Sequence, residues 1–141
     1  MIEIPKIQVG ASVTIQKLVR EEDTALNYGS GKLDTLLATP SLVALMIEAA
    51  VKIIDEKLPE GMISVGKMSK VVHEKPTGLG ATVSVKVEVK AFDGVNVLMD
   101  MVAYDEVGLI GRGIHERAIV NKNALIQRAN ERALKLQNKD F

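Results

Sequence analysis

Chemistry in this chain has to come from hydroxyls, carboxylates, arginine and two histidines, because the 141 residues include no cysteine. That absence excludes disulfides, Cys-ligated zinc and a cysteine nucleophile together. Two histidines alone do not make a His-rich metal site, so no metal or redox cofactor is expected. Thr39 stands before Pro40 at the start of a long apolar run. It reads as an N-cap with proline at the first helical position. A helix N-terminus carries unpaired N–H groups that can polarise a carbonyl, and a hydroxyl there can donate to a developing oxyanion or position a water. His73 titrates near neutrality and suits general-base work on water; its plainer reading is a surface histidine beside Glu74 and Lys75. Glu48 could supply an orienting carboxylate, or be a solvated helix residue paired with Lys52 four positions on.

The elements that must position these groups follow from periodicity. Residues 12–19 alternate as a first strand, and residues 20–34, with Gly29 and Gly31, read as a loop. The run from Ser41 to Leu58 is a helix whose apolar arc leaves only a narrow polar stripe of Ser41, Glu48, Lys52, Asp55 and Glu56. A helix so apolar must be covered on most sides; Pro59 and Gly61 end it. The period then changes to two. Residues 62–74 form a strand and residues 75–78 a turn. Residues 81–90 point Val83, Val85, Val87 and Val89 inward. Asp93-Gly94 is a hairpin signal, after which Val95, Val97, Met99, Met101 and Ala103 continue the inward face. A turn at 105–108, a last strand at 109–120 and a helix of about 122–138 capped by Asn121 complete the chain. The pattern is α+β in one domain spanning 1–141.

Composition narrows the partners. Eighteen basic and eighteen acidic residues cancel, and only two Tyr and two Phe are present. There is no electrostatic footprint for a phosphate backbone and no row of aromatic platforms for single-stranded nucleic acid. The longest apolar run, 42–47, is too short to cross a bilayer. The first residues lack the charged start and continuous apolar stretch of a signal peptide, so a soluble, cytoplasmic protein is expected. Gly29-Ser30-Gly31-Lys32 lacks the glycine spacing of a P-loop. Gly108, Gly111 and Gly113 have no following helix to receive a pyrophosphate.

Three segments carry a family resemblance: L-A-T-P-S-L-V-A-L-M at 37–46, S-V-G at 64–66 with His73 following, and Y-D-E-V-G-L-I-G-R-G-I-H-E-R-A at 104–118. In this order and spacing they resemble the fluoroacetyl-CoA thioesterase-like family of hotdog proteins over roughly residues 10–125. The resemblance implies an antiparallel sheet wrapped around one long central helix. It also implies a homodimer binding acyl-CoA along the subunit interface, and thioester hydrolysis. Pairing of dimers into tetramers stays open. The family's working set is a Thr at the helix start, a Glu eight residues later and a His on the next strand. Thr39 and His73 match; the Glu position is Ile47. Neighbouring helix residues point about 100° apart, so Glu48 lies on a different face and does not simply replace the acid. A non-catalytic acyl-CoA-binding protein is therefore the alternative to a thioesterase. Gly66, Leu33, Met46 and Arg117 are the candidate substrate contacts, with Arg117 read toward a carboxylate or CoA phosphate, or toward a structural ion pair at the dimer contact.

Overall fold

A computed structural model describes residues 6–137. Five antiparallel strands form one sheet in the order β1-β3-β4-β5-β2: β1 (Ser12–Leu18), β2 (Met62–His73), β3 (Thr82–Phe92), β4 (Asn96–Tyr104) and β5 (Leu109–Asn121). Helix α1 (Thr39–Ile54) lies across the inner face, and α2 (Lys122–Gln137) follows β5. This is the expected hotdog arrangement.

The valine alternation of β3 sets the floor of the core. Val83, Val85, Val87 and Val89 are fully buried, opposite Val97, Met99, Met101 and Ala103 of β4. From above, α1 contributes Leu42, Leu45, Met46, Ala49, Ala50, Ile53 and Ile54. Each fully buried side chain the size of Leu42 or Met46 stabilises the fold by about 1.5–3 kcal/mol. Close approach of helix and sheet is possible because β5 carries Gly111 and Gly113 beneath Leu42 and Met46.

Three boundaries differ from the sequence expectation. The helix begins at Thr39 and ends at Ile54, short of Leu58, because Asp55–Lys57 tighten into a 3-10 turn. Val95 is exposed in the β3–β4 turn, since Asp93 accepts from the backbone N–H groups of Val95 and Asn96 and pulls both into the turn. Asn121 does cap α2, accepting from the Ala124 N–H at 2.9 Å. The expected end of that helix at 138 lies outside the described residues. No described helix is long and apolar enough to cross a membrane.

One side of α1 is uncovered in the single chain. Val43, Ile47 and Val51 are half-buried and Ala44 is exposed, while the rest of the apolar arc is covered as expected. This side belongs to the same helix that packs inward through Leu42, Met46 and Ala49. The sheet edge nearest α1's start and end is β2, since His73 meets Thr39 and Ser64 meets Asp55.

Candidate active site

Thr39 is not the N-cap. Ala38 holds the extended cap conformation and its carbonyl accepts from the N–H groups of Ser41 and Leu42, making Thr39 the first helical residue. Its hydroxyl is therefore not engaged in capping. It meets His73 instead, with Thr39 Oγ1 and His73 Nδ1 2.8 Å apart. The encounter is built by topology: α1 starts and β2 ends at the same corner, thirty-four residues apart in sequence.

His73 Nε2 is buried without a hydrogen-bond partner among the described residues. A buried ring nitrogen left unpaired costs about 1–3 kcal/mol and calls for a specific explanation, such as a role with substrate or water. Burial holds the imidazole below the ordinary histidine range, against an opposing pull from the Lys75 backbone. The ring is thus neutral at neutral pH. When Nδ1–H donates to Thr39 Oγ1, Nε2 carries a bare lone pair and the threonine O–H remains available to donate elsewhere.

The pair opens into a cleft of about 470 Å³. Its walls include Tyr28, Leu33, Leu36 and Leu37 on one side and Glu74 to Pro76 on the other. Leu33 lines this cleft, with 58% of its surface exposed. Met46 does not line this cleft: it is fully buried under the helix, its sulfur against the Gly113 position. A residue seven positions beyond Thr39 in α1 points to the sheet, not the helix mouth. Glu48 is exposed and makes no hydrogen bond or ion pair among the described residues, including with Lys52. The structure does not bring it to Thr39 and His73.

A second polar group forms around Arg117, which the sequence reading had singled out with Gly66 but without its partners Ser64 and Asp55. On β5, His115 and Arg117 point inward while Glu116 between them pairs with Lys67 outside. Arg117 Nε donates to Ser64 Oγ at 2.8 Å and Nη2 to the Ser64 carbonyl at 2.9 Å. Ser64 Oγ in turn donates to Asp55 Oδ1. Arg117 Nη1 lies 3.2 Å from His115 Nε2, and His115 Nδ1 lies near the Met68 carbonyl and Ser69 Oγ. The guanidinium only donates, so His115 Nε2 accepts and Nδ1 holds the proton. That tautomer prevents His115 from acting as a base toward Ser69. Gly66 sits over this group: a Cβ there would lie 3.6 Å from Arg117 Nη1 and 3.7 Å from His115 Cε1. The signal in sequence was polar residues at two successive inward positions of an otherwise apolar strand.

The family model of fluoroacetyl-CoA-specific thioesterases matches residues 19–123. The chain belongs to that family. It is 35% identical over 86 residues to the fluoroacetyl-CoA thioesterase of Streptantibioticus cattleyicolor, a match spanning 61% of this chain and 62% of that curated relative's length. Among solved structures, a hot-dog-like protein of Thermanaerovibrio acidaminovorans is 35% identical with a TM-score of 0.83, covering 88% of this chain and 91% of that one. A variant of the fluoroacetyl-CoA thioesterase FlK in complex with acetyl-CoA is 26% identical with a TM-score of 0.83, covering 89% and 98%. The thioesterase-family match includes Thr39, Ile47, Gly66, His73 and Arg117.

Proposed function

We infer that the protein hydrolyses a short or medium acyl-CoA thioester by activating water. The observation that carries this reading is the Thr39–His73 pair at 2.8 Å, opening into an apolar-walled cleft with His73 Nε2 unpartnered. Neutral His73 takes a proton from water as it attacks the carbonyl, and Thr39 O–H donates to the oxyanion that forms. The leaving CoA thiolate is a good leaving group, so no further nucleophile from the chain is required. Leu33 and its aliphatic neighbours receive the acyl chain.

The working unit is a homodimer. β2 is a twelve-residue strand at the sheet edge, and such an edge presents unpaired N–H and C=O groups that template another strand. Gly66 and His73 are seven residues apart, roughly 20 Å along one strand, too far to hold one small acyl group. Antiparallel pairing of β2 with its copy, centred between Ser69 and Lys70, sets Gly66 of one copy opposite His73 of the other, with Arg117 and Thr39 beside them. It also covers Val43, Ile47 and Val51. Sedimentation equilibrium should return twice the 15.3 kDa chain mass; an active monomer would remove this arrangement.

The test of function is thiol release from acyl-CoA esters of graded length, followed with a thiol-reactive dye. The chain has no cysteine to contribute background. Release is expected from at least one short or medium ester. The competing reading, a binding protein without turnover, is favoured by one observation: Ile47 stands at the family's acid position and Glu48 is exposed away from the pair. Binding of CoA esters with no release from any of them would select it.

A further inference from the structure

The buried group at the far end of α1 has no role in the water-activation step, yet it is the most elaborate polar arrangement among the described residues. Arg117 is 7% exposed and His115 1%. A guanidinium carries five N–H donors. Three are engaged, by Ser64 Oγ, the Ser64 carbonyl and His115 Nε2. One donor on Nη1 and one on Nη2 remain, and the missing side chain at Gly66 leaves Nη1 uncovered. The engaged donors fix the plane of the guanidinium, so the remaining two are aimed by their neighbours.

A buried cation needs a compensating charge. Among the described residues, no carboxylate touches Arg117 directly. Asp55, in the turn that ends α1, reaches it through one hydroxyl: Arg117 Nε–H donates to Ser64 Oγ, and Ser64 O–H donates to the Asp55 carboxylate. Burial pushes the guanidinium below its ordinary value and the Asp55 charge pulls it back. On the other flank, neutral His115 accepts from Nη1 and is itself held by the Met68 carbonyl and Ser69.

We propose that Asp55 and Ser64 are positioning residues that hold Arg117 so that its two remaining N–H donors meet an acceptor on the bound acyl-CoA. This rests on the thioesterase reading, in which Arg117 and Gly66 face substrate across the dimer. Neither Asp55 nor Ser64 touches the substrate; both act through the guanidinium. The relay also links the end of α1 to β2, so the helix that carries Thr39 at its start is anchored at its other end by the same contacts.

The experiment pairs kinetics with nitrogen-15 NMR of the arginine side chain, the Arg117 Nε–H signal being assigned by its loss in Arg117→Lys. In the unaltered protein that proton should exchange slowly with solvent. Ser64→Ala should abolish the slow exchange and raise KM about tenfold while kcat changes less than threefold, the size expected for a charge-assisted hydrogen bond. Ser64→Thr, which keeps the hydroxyl, should restore both. Asp55→Asn keeps an acceptor for Ser64 but removes the charge, and should give the same KM effect with a circular dichroism spectrum unchanged. An Nε–H signal indifferent to Ser64→Ala overturns the proposal, as does an unchanged KM in both variants of an active enzyme. If the unaltered protein neither turns over nor binds any CoA ester, the thioesterase reading falls separately, and the Nε–H signal still decides whether the relay holds Arg117.

Discussion

Replacing His73 by alanine should lower kcat/KM for thioester hydrolysis by about 100-fold or more, the usual contribution of a positioned general base. The residue is half-buried at the end of β2, and its ring touches the only threonine at the start of α1. Its loss removes the proton acceptor and frees Thr39 to rotate, while the CoA-binding surface is unchanged. The defect should therefore fall mainly on kcat. The pH profile separates this role from a structural one. A base works only when unprotonated, and burial holds His73 below the ordinary histidine value. Activity in the unaltered protein should stay level through neutrality and fall only as pH drops below the ordinary histidine range. His73→Ala should lose that acidic limb along with the rate. Full activity in the variant, or an acidic limb that persists in it, would remove His73 from the mechanism.

The sequence reading reached the Thr39–His73 pair for a mixed reason. The resemblance named both residues, and the structure shows how they meet, but the N-cap expectation placed Thr39 one residue outside the helix that it in fact begins. Capping depends on the backbone conformation of a single residue, and a one-residue shift to Ala38 changes what Thr39 is available for. Periodicity served the strands well, because alternate burial is dictated by the pleat: all four valines of 83–89 face the core as expected. It failed at Val95, where a local Asp93 turn outweighed an apolar preference for the inward face. Met46 was misplaced for a different reason. Proximity to Thr39 in sequence suggested proximity to the cleft, whereas residue 46 lies two turns, about 10 Å, further along the same side of the helix, over Gly113 of the sheet. The Asp55–Ser64–Arg117–His115 group was the hardest to foresee. Its members come from the end of α1, an edge strand and the last strand, and only the register pairing Gly66 with Arg117 brings them together.

The glycines of β5 yield the second large effect, on stability. Once a dinucleotide loop is excluded, what Gly111 and Gly113 do is let α1 and β2 close on β5. A Cβ at Gly113 would stand 2.7 Å from the Lys70 carbonyl oxygen, 3.1 Å from Val71 Cγ2 and 3.4 Å from Met46 Sδ. The tightest of these is backbone, which cannot swing aside, so the strand pair must separate. Gly113→Ala should destabilise the fold by about 2–3 kcal/mol, the upper part of the range for overpacking a well-filled core. For a domain of this size that lowers the melting midpoint by roughly 5–10 °C. Gly78→Ala is the control: no atom lies within 4 Å of its Cβ position, and its backbone needs no left-handed conformation. Shortening Met46 in the Gly113→Ala background should not restore the midpoint, because the sulfur is not the closest obstacle. Gly111→Ala carries a further consequence for the site. Its Cβ would meet the Val72 carbonyl at 2.8 Å and lie 3.6 Å from the His73 Cα. Relief of that contact displaces the end of β2, and with it the imidazole, from a threonine fixed to α1. Thioester turnover should then fall in Gly111→Ala even at temperatures where the variant is fully folded, whereas Gly113→Ala, farther from the pair, should keep its rate until it melts. Equal rates in the two folded variants would mean that β2 absorbs the added methyl without moving His73.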